Sequence, residues 1–71
     1  MPFSTQFLQG ILRACTPFVT LLNIETDVGE KFTGYRYKKH DHEILVVVPV
    51  GTDEEYEINL PAIEHIELAQ E

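Results

Sequence analysis

Cysteine is almost missing from this chain: Cys15 is its only thiol among 71 residues. No intrachain disulfide can form, and a lone thiol suits a reducing compartment, so a cytoplasmic protein is expected. One cysteine and the scattered His40, His42 and His65 make no zinc motif, and neither a metal nor any other cofactor is expected. Long hydrophobic runs are missing too. The longest, residues 44–50, is too short to cross a bilayer and contains Pro49. The first residues lack the basic flank and apolar segment of a secretion signal, so no membrane association is expected. Basic residues are few: 5 Lys and Arg stand against 12 Asp and Glu, a net charge of −7. That balance disfavours indiscriminate binding to polyanions. There is no paired-carboxylate arrangement and no glycine-rich phosphate loop, so the chain is not expected to be an enzyme.

What the chain does contain is pattern. Residues 1–71 make one domain, which buries roughly 60% of its unfolded surface, so self-association is the expected aid to stability. A helix is predicted over residues 4–15. Ser4 or Thr5 supplies the N-cap, and Phe7, Leu8, Ile11, Leu12 and Cys15 share one face at helical spacing. Gly10 weakens this helix by about 1 kcal/mol relative to alanine, and Pro17 ends it. Strands follow over residues 18–25, 30–39, 44–50, 55–60 and 63–68. Gly29 marks the first turn and Gly34 a bend within the second strand. The third strand is apolar on both faces and is expected at the centre of the sheet. In the fourth, Tyr56, Ile58 and Leu60 point inward; in the fifth, Ile63, Ile66 and Leu68 do. Tight turns make successive strands antiparallel. The expected fold is mostly β: an N-terminal helix, then a strongly bent five-stranded antiparallel SH3-like small barrel over residues 18–69.

The chemistry gathers where the second strand meets the third. Lys38, Lys39, His40, Asp41 and His42 form a basic, imidazole-bearing knuckle. Lys31, Arg36, Lys38 and Lys39 are four of the five basic residues in the chain. Lysines meet phosphates, imidazoles stack on bases, and a carboxylate accepts from a base edge. Tyr35 and Tyr37 add stacking faces where exposed, and at least one belongs to the core. The bland alternative is a solvated turn that binds nothing.

Two stretches carry a family resemblance. "DVGEKFTGYRYKKHDHEILVVV" resembles the first motif of the Sm, LSm and Hfq family, with Gly29 as the turn glycine and Gly34 as the bend glycine. "INLPAIEHIEL" resembles the second motif, with Ile58, Ile63 and Ile66 at its aliphatic positions. The likeness covers nearly the whole chain. It implies an Sm-like fold and a homo-oligomeric ring of about five to seven copies joined through strands 4 and 5. It also implies single-stranded RNA or DNA as ligand, and a role in RNA or DNA processing or regulation. Asn59 would then sit beside the knuckle and join the binding residues. The departures are specific. Either His40 or Asp41 takes the family's aspartate position, and Ile44 or Leu45 accordingly replaces its asparagine. Asn59 and Leu60 stand at the Sm arginine and glycine positions, and Leu60 and Pro61 where Hfq has lysine and histidine. A structural or protein-binding oligomer without nucleic acid is therefore the competing reading.

Overall fold

The helix forms where the apolar stripe places it and stops where its last carbonyls run out of helical amide donors. The computed structural model describes residues 5–69. Helix α1 spans Thr5–Arg13; the cap expected from Ser4 or Thr5 falls outside the residues whose side chains are described. Ala14 and Cys15 donate their amides to Ile11 and Leu12, each at 3.1 Å. This tightened last turn ends the helix two residues before the predicted boundary, ahead of Pro17. Leu8 and Leu12 are fully buried, Ile11 and Cys15 pack at the margin, and Phe7 lies half exposed on the flank.

Residues 16–20 form a compact turn, so the strand predicted over residues 18–25 starts three residues late, at Leu21. Val19 and Thr20 both donate to the Thr16 carbonyl at 3.0 Å, and Thr16 donates to the Thr20 hydroxyl at 2.8 Å. The strands are β1 (Leu21–Thr26), β2 (Lys31–His40), β3 (Ile44–Val48), β4 (Tyr56–Asn59) and β5 (Ile63–Ala69). They form one antiparallel sheet ordered β4-β3-β2-β1-β5. The predicted strand count and direction match this sheet; the third strand is interior, between β4 and β2, but the middle strand is β2. The ladder does not close into a complete barrel: among the described residues, β4 and β5 are its two free edges. A single 3-10 turn, Leu60–Ala62, joins them.

Three irregularities bend the sheet, and each puts residues three apart on one face, which a regular strand cannot do. In β2, Thr33 and Gly34 together oppose Asn23, with Gly34 at φ 69 and its amide donated to the Asn23 side-chain oxygen at 2.7 Å. Phe32 and Tyr35 consequently meet, with ring centroids 5.3 Å apart. Lys38 is the extra residue of a second bulge, opposite β3, which brings Tyr37 and His40 together. The third lies between Ile63 and His65, where Glu64 is skipped in pairing with β1, and it lets Ile63 and Ile66 both be buried.

The core joins Leu8 and Leu12 of α1 to Leu22, Ile24, Tyr37, Leu45, Val47, Ile58, Ile63 and Ile66 of the sheet, with Leu60 of the joint. β3 is buried on both faces, as its composition predicts: Leu45 and Val47 belong to this core, while Val46 and Val48 are buried on the other side. Tyr56 and Leu68 depart from expectation. Their pairing with Val47 and Leu22 gives them the core-side face, yet both stand on edge strands and stay exposed.

Candidate functional site

The knuckle is built by one carboxylate. Asp41 Oδ1 accepts the amides of Glu43 at 2.7 Å and Ile44 at 2.8 Å, and the Asp41 amide returns to the Ile44 carbonyl at 2.9 Å. This is the local turn chemistry that short acidic side chains provide. The two amides hold the Asp41 carboxyl below its ordinary range, with smaller help from His42 and His40.

The neighbouring side chains divide among different partners. The Tyr37 hydroxyl and His40 Nδ1 are hydrogen-bonded at 2.7 Å. Burial, then the nearby Cys15, raises the phenol's pKa. His42 Nδ1 lies 3.4 Å from the side-chain nitrogen Nε2 of Gln9, a contact between knuckle and helix. Lys38, at its bulge, forms an ion pair with Glu55 and so holds the Glu55 carboxyl below its usual range. Lys39 has no ion pair among the described residues. It lines a recess of about 300 Å3 with His40, Asp41, Ile44, Val46 and Glu57. Asn59 pairs with Ile44 across the β3–β4 ladder and lines a separate recess with Asp27, Glu43 and Pro61. Of the six candidate residues, Lys39, His40 and Asp41 are gathered into one recess. Lys38 is drawn to Glu55 just ahead of β4, His42 toward the helix, and Asn59 to the adjoining recess.

The basic cluster read along the chain disperses in space, because successive strand residues face opposite ways. Lys31 lies by Asn23, Glu25, His65 and Glu67 on the outer face. Arg36 donates through Nη2 to the carbonyls of Pro49 at 3.1 Å and Thr52 at 2.8 Å, and its guanidinium stands 5.7 Å from the centre of the Phe18 ring. It therefore ties the β3–β4 turn to β2. Tyr37 is core, whereas Tyr35 joins Phe32 and Tyr56 in an aromatic group with centroids 5.3 to 6.3 Å apart.

The chemistry available in the recess is modest and specific. Lys39 offers an unpaired ammonium for a phosphate. His40 has Nδ1 engaged by Tyr37, whose ring lies tilted against the imidazole with centroids 5.8 Å apart, which leaves Nε2 for a ligand. Asp41 keeps one oxygen outside its turn. Sequence reading missed Tyr37 as the partner of His40 and Gln9 as the partner of His42. The first pair needs the Lys38 bulge and the second needs the helix to pack beside the knuckle; neither leaves a local mark. Among the described residues, no group of three or more His, Cys, Asp or Glu is placed to hold a metal ion. No family model matches the chain, and neither does any curated protein or solved structure.

Proposed function

We propose that the chain is an Sm-like subunit that closes into a homo-oligomeric ring and binds single-stranded nucleic acid, RNA foremost, at its repeated knuckles. One observation carries this reading: the strand order leaves β4 and β5 as the free edges, joined by a three-residue 3-10 turn. Free edges expose amides and carbonyls to chance pairing unless another strand covers them. A β4-to-β5 contact between copies covers both at once, and such a head-to-tail contact generates a ring when its rotation closes. The three bends support the small-barrel form that this assembly needs. A ring repeats the Lys39, His40 and Asp41 recess about an axis, and avidity then compensates for a weak single site.

A second reading, a protein-binding ring without nucleic acid, has its own support. Lys38 is neutralised by Glu55, Asp41 serves its own turn, and the net charge is −7. Solution mass by light scattering, with filter binding of single-stranded RNA and DNA at low and moderate salt, tests both. A closed assembly with salt-sensitive RNA binding supports the first. An assembly that binds neither polymer at low salt supports the second, and a monomer at every concentration removes both.

A further inference from the structure

The end of β5 borders an apolar groove of about 640 Å3, lined by Phe18, Val19, Val50, Leu68 and Ala69 among others. Phe18, Val19, Val50 and Leu68 are 51 to 71% exposed. Large apolar side chains from separate segments seldom converge on a surface without a partner to cover them. This groove is also held in shape. Phe18 has φ 63, a left-handed conformation that is strained for an aromatic residue. Its amide is fixed to the Tyr37 carbonyl at 2.7 Å. Arg36 packs against its ring and anchors the turn that carries Val50.

We infer that the groove receives Tyr56 and the start of β4 from a second copy of this chain, in one defined register. The inference rests on the assembly proposed above. Every ladder among the described residues is antiparallel. Laid antiparallel on the β5 edge, an incoming β4 puts its first residue, Tyr56, at the end that carries Leu68 and Ala69. Laid parallel, it would bring Asn59 to the groove instead. Side-chain alternation excludes odd slips, and seating Tyr56 at the groove beside Leu68 selects one register from the rest. Tyr56 and Ile58 pair with Val47 and Leu45, and Ile66 and Leu68 pair with Ile24 and Leu22, so all four belong to core-side faces. Setting Tyr56 opposite Leu68 sets Ile58 opposite Ile66 and continues the apolar face from copy to copy. A slip of one residue would turn Glu57 onto that face. The same register places Glu57 of one copy opposite Glu67 of the next, a like-charge pair that opposes the contact.

Disulfide trapping tests the register. In a Cys15→Ala background, Tyr56→Cys combined with Leu68→Cys is oxidised mildly and run on a denaturing, non-reducing gel. Cross-strand neighbours in this register lie within disulfide reach, so a covalent ladder up to the native copy number is expected, with no ladder from either single variant. An assembled native mass without a ladder overturns the register while leaving the ring; a monomeric native mass overturns both. Phe18→Gly keeps the backbone conformation and removes the ring, so the fold is expected to survive while the midpoint concentration for assembly rises at least about tenfold. An unchanged midpoint overturns the groove. Glu67→Lys is expected to lower that midpoint and its combination with Glu57→Lys to raise it again; no effect of either would remove the Glu57–Glu67 juxtaposition.

Discussion

Tyr37 and His40 are hydrogen-bonded at 2.7 Å because the ladder skips one residue between them. A core phenol thereby fixes a rim imidazole. Tyr37→Phe keeps the buried ring and removes only the hydroxyl. The variant is expected to stay folded, to lose about 1 kcal/mol, and to release His40, seen as a change in its ring nitrogen shifts by NMR. Unchanged shifts would show that the contact does not hold the imidazole in solution.

Asp41 predicts a pH dependence with a definite sign. Its folded carboxyl lies below the ordinary 3.8, chiefly through the amides of Glu43 and Ile44. Its contribution to stability is therefore complete above the ordinary value and is lost as pH falls through the depressed one. Asp41→Asn keeps an acceptor oxygen for the turn and removes the titration. Urea unfolding at stepped acid pH is expected to give a shallower loss of stability for the variant than for the parent. Parallel curves would sink this assignment.

Among the described residues, Lys39 is the knuckle lysine left without an ion pair, since Lys38 is held by Glu55. Lys39→Ala is expected to weaken single-stranded RNA binding several-fold and to lower the log–log salt slope by about 0.7 in magnitude. Lys38→Ala should do less, and Glu55→Gln should strengthen binding by releasing Lys38. If Lys38→Ala with Lys39→Ala leaves affinity and slope unchanged, the basic knuckle is not the binding surface.

Two glycines are expected to respond in opposite directions. A methyl group at either Gly34 or Gly10 meets nothing within 4 Å, but Gly34 has φ 69 and Gly10 is helical. Gly34→Ala should cost about 1–2 kcal/mol through backbone strain alone. Gly10→Ala should add roughly 0.5–1 kcal/mol. Thermal melts of the two variants should shift to opposite sides of the parent; a shift of both in the same direction would refute the contrast.

Much of the architecture was legible because it rests on periodicity and punctuation. The helix stripe, the two-faced third strand, the turn at Gly29 and the bend at Gly34 each follow from residue type at a given spacing. The bulges at Lys38 and Glu64 left no such mark. Neither position carries glycine or proline, so the local sequence gives no reason to break the alternation, and only the completed sheet shows that Tyr37 and His40 share a face. Residues 18–20 look strand-like by composition, but Phe18 adopts a left-handed conformation secured by the Tyr37 carbonyl, a distant partner. The alternation puts Tyr56 and Leu68 on the face they take. Their exposure depends on β4 and β5 being outermost, and that is a property of strand order. The basic cluster misled for a related reason: closeness along a strand is not closeness on a surface.

The Leu60–Ala62 joint is short and firmly seated. Leu60 is fully buried and donates its amide to the Glu43 carbonyl at 2.8 Å, and the Ala62 carbonyl accepts from Asp27 at 2.8 Å. With no slack, the inclination between the two edges is a fixed property of every molecule. In a proposed circular array, each member would then rotate the next by the same increment, and the increments must sum to a full turn. Copy number would be written into three residues, and lengthening that link by a single amino acid should change the census of the circle before it disturbs the interior of any member.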